Sequence, residues 1–141
     1  MDSRSETYLN AAKNLRDDRK YNPATALAYY AAFMYMRYVW ANANVNAVDY
    51  QSQNPLNEDV HNRVFTNVAD YLASHRGDEN KFRSSWDNLS NLRHKADYEK
   101  NDITDTECCD AIDCAERLIK MMKKLPLRSC NDAELTYQEG G

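Results

Sequence analysis

The chain has 141 residues, 43% of them hydrophobic, with ten tyrosines but only three glycines and three prolines. That is one domain's length with ample core material, which excludes a chain disordered throughout and suits a helical fold. A formal charge of -4 argues against a uniformly basic nucleic-acid binder, although local charge counts for more than the sum.

From Ser5 to Lys20 the apolar positions Tyr8, Ala11, Ala12 and Leu15 recur at three and four residues and predict an amphipathic helix, capped by Ser3 or Ser5. The turn Tyr21-Asn22-Pro23 follows, and Pro23 suits the first turn of a second helix running to about Asn44. That helix carries one stripe of Leu27, Ala31, Met34, Tyr38 and Ala41 and another of Tyr29, Phe33, Met36 and Trp40. Apolar on most of its circumference, it is expected to be central and most buried. Arg37 is the only charged side chain between residues 22 and 48. It either snorkels from a helix edge or pairs with a carboxylate, for which Asp97, Asp70 and Asp87 are candidates.

Residues 42–57, rich in Asn, Gln and Ser and ending around Pro55, read as a long loop. A third helix is expected from Asn57 to His75, with Val60, Val64, Phe65, Val68, Tyr71 and Leu72 facing inward and Gly77 as its stop. Asp78 is placed to cap a fourth, whose Phe82, Trp86, Leu89 and Leu92 face the core. Thr104 and Glu107 form a capping-box pattern for a fifth, with Ala111, Cys114 or Ala115, Leu118, Ile119 and Met122 inward. Pro126 ends it, so the expected division is a helical domain over 1–126 and a flexible polar tail over 127–141. Between Arg117 and Arg128 there are five basic residues and no acidic one; a helix C-terminus that favours cations and a phosphate-binding patch both account for this run.

Cys108, Cys109, Cys114 and Cys130 make no Cys-x-x-Cys, and free thiols in a reducing cytosol are the simplest account. No Gly-rich phosphate loop and no His-x-x-x-His is present, so neither a metal nor a cofactor is expected. The beginning Met-Asp-Ser-Arg-Ser-Glu lacks a hydrophobic signal region, and the longest apolar run, residues 26–36, is too short for a bilayer. A cytoplasmic protein without a membrane segment is the expectation.

The chemistry concentrates in Asn91-Leu-Arg-His-Lys-Ala-Asp-Tyr98 near the end of the fourth helix. Arg93 and Asp97 are four apart, as are His94 and Tyr98, so one turn offers a guanidinium beside a carboxylate and an imidazole beside a phenol. The Arg/Asp pair is either a solvated surface ion pair or part of a small polar site.

Tyr29, Tyr30, Ala31 and Phe33 on the second helix, followed by Arg93, Ala96, Asp97 and Tyr98 on the fourth, resemble the HEPN family of small prokaryotic helical domains, over about residues 5–125. The resemblance implies an all-α fold, an antiparallel four-helix bundle with an additional helix. Many such proteins are metal-independent ribonucleases whose signature is an arginine followed after four to six residues by a histidine. The histidine moves protons, while the arginine stabilises charge on the attacked phosphate. Here no histidine stands at that spacing; Asp97 takes roughly its place, and an ionised carboxylate both repels RNA phosphate and is a poor acid.

The expected function is therefore a HEPN-like module of a toxin-antitoxin or defence system that binds RNA, a nucleotide or a partner protein without efficient catalysis. Arg37, Asp97, Tyr98 and Tyr30 would line its groove. The alternative is a divergent metal-independent endoribonuclease with Arg93 and His94 as catalytic residues, His61 or His75 assisting. The resemblance also implies a homodimer and, because in some relatives a tyrosine next to the motif is modified, a nucleotidyltransferase-type partner acting on Tyr98. A packed aromatic capping the helix end is the other reading of that tyrosine.

Overall fold

A computed structural model describes residues 3–44, 47–53 and 58–128. Among the described residues there are five long helices and one short one: α1 (Ser3–Asp17), α2 (Tyr21–Asn42), α3 (Tyr50–Gln53), α4 (Glu58–Ser74), α5 (Glu79–Tyr98) and α6 (Asp105–Met122). The connections α1 to α2, α4 to α5 and α5 to α6 are short and turn the chain back on itself, giving the all-α bundle expected. Among the described residues no helix is long and apolar enough to cross a membrane.

The second helix is central because it is apolar nearly all round. It packs against α1, α4, α5 and α6, and every residue from Ala31 to Met36 is buried. The inward faces expected of α4, α5 and α6 are buried as well, except that Leu92 is only half-buried. Burying these stripes against one another is the main driving force for the bundle.

The helix ends follow from local chemistry. The Asp78 side chain accepts the Lys81 N–H at 3.0 Å. Thr104 and Glu107 form the full capping box, with Glu107 N–H donating to Thr104 Oγ1 at 3.1 Å and Thr104 N–H to Glu107 Oε1 at 2.9 Å. Ser5, by contrast, lies buried inside the first turn of α1 and is not its cap. Two helices end with an arginine in the left-handed region: Arg19 (φ 60°) after α1 and Arg76 (φ 63°) after α4. In both, the next residue donates back across the last turn, Lys20 N–H to Leu15 O at 2.8 Å and Gly77 N–H to Leu72 O at 2.9 Å. Gly77 thus stops α4 in a different way from that expected. Arg76 carries the positive φ, while a Cβ on Gly77 would fall inside the Leu72 side chain.

Two other expectations are corrected. The segment read as a long loop contains α3, and its Gln53 is 1% exposed. Gln53 Oε1 accepts from Arg37 Nε at 3.0 Å, and Gln53 Nε2 donates to Arg37 O at 3.1 Å and Val48 O at 2.7 Å. The loop's expected end at Pro55 and the expected helix start at Asn57 lie outside the described residues. At the other end, the folded chain runs past Pro126: Leu127 is buried and bridges to Ala43, and Arg128 Nη2 donates to Ala41 O at 3.2 Å. Tyr71 fastens this return by donating its hydroxyl to Pro126 O while accepting Asn44 N–H. The remainder of the expected tail, 129–141, lies outside the described residues.

Lys95 of α5 bridges to Glu107 of α6 at 2.8 Å. The hydrogen bond from the Lys95 ammonium, and then the Thr104 N–H, hold the Glu107 carboxyl below its ordinary value of 4.5. A carboxyl so depressed contributes stability that is fully present above its unfolded value and is lost as pH falls through the lower, folded value. Glu107→Gln keeps an oxygen for the capping box but removes the charge. The gap in melting temperature between wild type and variant is therefore expected to be constant near neutrality, to narrow below about pH 4.5 and to close at lower pH. A gap that persists unchanged into strong acid would assign the effect to something other than the Lys95 pair.

Candidate functional site

Arg93 is the organising residue, and it is not a surface cation: it is 9% exposed, on the last two turns of α5 and facing α2. Its guanidinium lies over the Tyr29 ring at 4.7 Å and within 5.8 Å of the Tyr98 ring, and its Nε is 3.2 Å from Asp97 Oδ2. A buried cation needs both charge compensation and a polarisable surround, and here a carboxylate and two aromatic faces supply them. The solvated ion pair allowed by the spacing is thus set aside in favour of a recessed polar site.

Beneath Arg93 the aromatic residues continue inward. Tyr29 stacks on Trp86 with ring centroids 4.8 Å apart, and its hydroxyl is 2.8 Å from His61 Nδ1. The His61 ring lies 3.9 Å from that of Phe33 and is buried. Tyr30, half-buried, meets Tyr29 edge-on at 5.5 Å. One residue from each of α2, α4 and α5 therefore joins in the row His61, Tyr29, Arg93.

The outer part of the site is open. Tyr98 is 65% exposed, the most exposed large aromatic of the described residues, and Asp97 and His94 are exposed too. His94 faces solvent beside Tyr98, ring centroids 5.0 Å apart. Tyr98 consequently touches both Arg93 and His94, which diverge from the backbone by about 100°. What holds this helix end in place is Asn22, in the first turn of α2: its Nδ2 donates to Ala96 O at 3.0 Å and its Oδ1 accepts Ile103 N–H at 3.0 Å.

Of the residues expected at the site, Arg93, His94, Asp97 and Tyr98 are brought together, while Tyr30 meets the group only through Tyr29. Arg37 is not among them. It sits eight residues beyond Tyr29, about 12 Å farther along α2, where Gln53 holds it; Asp97 is taken by Arg93 and Asp70 by Arg83 at 3.6 Å. His75 is equally remote, fourteen residues or about 21 Å along α4 from His61, with Nδ1 2.9 Å from Tyr71 O. Asn22 is the structural participant that the sequence left unassigned, while Trp86 was expected only as a core residue and His61 only as an assistant to catalysis. The signal for His61 was available, since it stands four and seven residues before Phe65 and Val68 on the inward stripe of α4. Nothing local marks Asn22, because its partners lie more than seventy residues away.

The arrangement suits binding better than proton transfer. An exposed phenol and imidazole form a shelf on which a planar group can stack, with a carboxylate at its edge and a guanidinium recessed behind it. His61 is enclosed and engaged by Tyr29, so among the histidines of this region only His94 meets solvent. Among the described residues no group of three His, Cys, Asp or Glu is placed to hold a metal ion. Burial pushes the thiols of Cys108 and Cys109 up, which favours their protonated forms.

A family model described as the HEPN domain matches residues 3–125. No curated protein and no solved structure matches the chain.

Proposed function

Because the chain belongs to the HEPN family, we propose that it is a HEPN module of a prokaryotic toxin-antitoxin or defence system that binds RNA, a nucleotide or a partner protein at the Tyr98 shelf, without efficient catalysis. The observation that carries this reading is the seating of Arg93. With its charge met by Asp97 at 3.2 Å and its guanidinium carbon over the Tyr29 and Tyr98 rings, the arginine supports the site and is poorly disposed to follow a phosphate through a reaction. Tyr98, Asp97 and His94 present the contact surface, and Tyr30 borders it. A homodimer that places two such shelves along one groove fits this surface. A nucleotidyltransferase-type partner that modifies an exposed tyrosine would find the Tyr98 hydroxyl accessible. Free thiols at Cys108, Cys109 and Cys114 accord with a cytoplasmic setting.

A second reading, a divergent metal-independent endoribonuclease, is favoured by one observation: Arg93 and His94 both touch the Tyr98 ring, so a phosphate lodged against that ring would have both within reach. The deciding experiment is incubation of a mixed RNA pool with excess chelator, comparing wild type with Arg93→Ala and His94→Ala, each checked for retained helicity. No cleavage by the wild type at high concentration is the expected result. Cleavage that disappears in both variants while their folds persist would replace the binding module with the nuclease.

A further inference from the structure

We propose that the end of the bundle opposite Arg93 is a second site, a sequence-independent footing for the phosphate backbone of single-stranded RNA. Three elements converge there: the end of α4 with Arg76 just beyond it, the first turn of α5 with Lys81, and the last two turns of α6 with Arg117 and Lys120, followed by Lys124. All five cations are exposed. They border two adjoining clefts that share a ridge of Lys81, Met121 and Lys124. The carboxylates in these clefts are Asp78 and Glu116, and both are engaged, Asp78 as the cap of α5 and Glu116 with Lys13 at 2.7 Å. In a chain of net charge -4, such segregation produces a local positive field.

Helix dipoles do not account for it. They favour Lys120 and Lys124 at the end of α6 and Arg76 at the end of α4, but they disfavour Lys81 in the first turn of α5, where the N-terminal partial charge is positive. On α6 Arg117 and Lys120, three apart, share one face, and Lys124, just beyond the helix, borders the same cleft. Several cations lining one cleft match a strand that presents one phosphate after another.

The lining also selects among polyanions. A protein partner docked by charge needs apolar anchors at its centre, and here Leu72 and Leu125 are already buried in the bundle while Met121 is half-buried. Aromatic platforms for base readout are absent from the lining residues apart from the His75 imidazole. What remains is charge without base recognition, the chemistry of sequence-independent backbone binding. Lys81 and Arg93 are twelve residues apart on α5, about 18 Å, so the two sites are distinct.

The test is fluorescence anisotropy with a labelled twenty-nucleotide single-stranded RNA titrated with the full chain over a range of salt concentrations. Wild type is expected to bind with a log-log salt slope near -3.5, about -0.7 for each of five phosphate contacts. The Lys81→Gln/Lys124→Gln double variant, altered only at exposed side chains, should bind at least ten-fold more weakly at low salt with a slope shallower by about 1.4. Arg63→Gln, on the exposed part of α4, should leave the slope unchanged. The proposal is overturned by absence of wild-type binding, by a double variant that binds like wild type, by Arg63→Gln weakening binding as much as the double variant, or by equally effective displacement with polyglutamate of matched charge, which would assign the surface to an acidic protein.

Discussion

Trp86→Ala is expected to destabilise the protein by about 3–5 kcal/mol, the range for truncating a large buried aromatic. Trp86 is 4% exposed and lies between two rings, Tyr29 at 4.8 Å and Phe65 at 5.6 Å, the latter stacked in turn on Phe82 at 5.8 Å. Its removal takes away the surface on which Tyr29 rests, and Tyr29 is the face against which Arg93 is held. Loss of stability should therefore be accompanied by loosening of the α5 end. Urea unfolding gives the first quantity, and hydrogen exchange of the amides from Arg93 to Tyr98 gives the second. A cost below about 1 kcal/mol would mean that neighbouring side chains close the cavity, contrary to the packing described. Stability loss with unchanged exchange would mean that Asp97 and Asn22 suffice to seat the arginine.

Gln53→Ala is expected to cost about 2–4 kcal/mol, large for a residue in a segment whose composition reads as loop. The amide makes three buried or part-buried hydrogen bonds, accepting from Arg37 Nε and donating to the Arg37 and Val48 carbonyls. Truncation deprives each of these groups of that partner in a place where water does not readily replace it. The sharper comparison is Gln53→Glu. If the amide served only as a stand-in for the carboxylate that Arg37 was expected to seek, Glu would stabilise. Because a carboxylate has no N–H for the two carbonyls, Glu is expected to destabilise as well. Exchange of the Val48 amide, which donates to Trp40 O at 3.0 Å, should accelerate in both variants as the segment detaches from α2. Slow exchange at Val48 in Gln53→Ala would show that this anchor is dispensable.

The two cases differ in what sequence reasoning can reach. Hydrophobic period and helix-end chemistry act over a few residues, so they are written locally. The apolar circumference of α2, the inward stripe from Val60 to Leu72 on α4, the Asp78 cap and the Thr104/Glu107 capping box could all be placed from spacing alone, and the bundle follows from them. The turn carrying Arg93, Asp97 and Tyr98 was equally legible, because i,i+4 neighbours on a helix meet whatever the rest of the chain does.

The tertiary structure decided everything that depends on which faces meet. Whether Arg93 is a solvated cation or a buried one turns on Tyr29, sixty-four residues earlier, and on the row of rings behind it. Among the described contacts, Arg37 is held by a neutral amide from a polar segment, Gln53. A buried guanidinium takes the acceptor that packing brings within reach, and charge in the sequence does not reveal which one that is. Asn22, Tyr71 and Gln53 act as clamps between parts of the chain that spacing does not relate. Local periodicity thus determined the helices and their inward faces, while long-range packing determined which polar groups lie buried together, since the cost of burying them is met only by partners supplied from elsewhere in the chain.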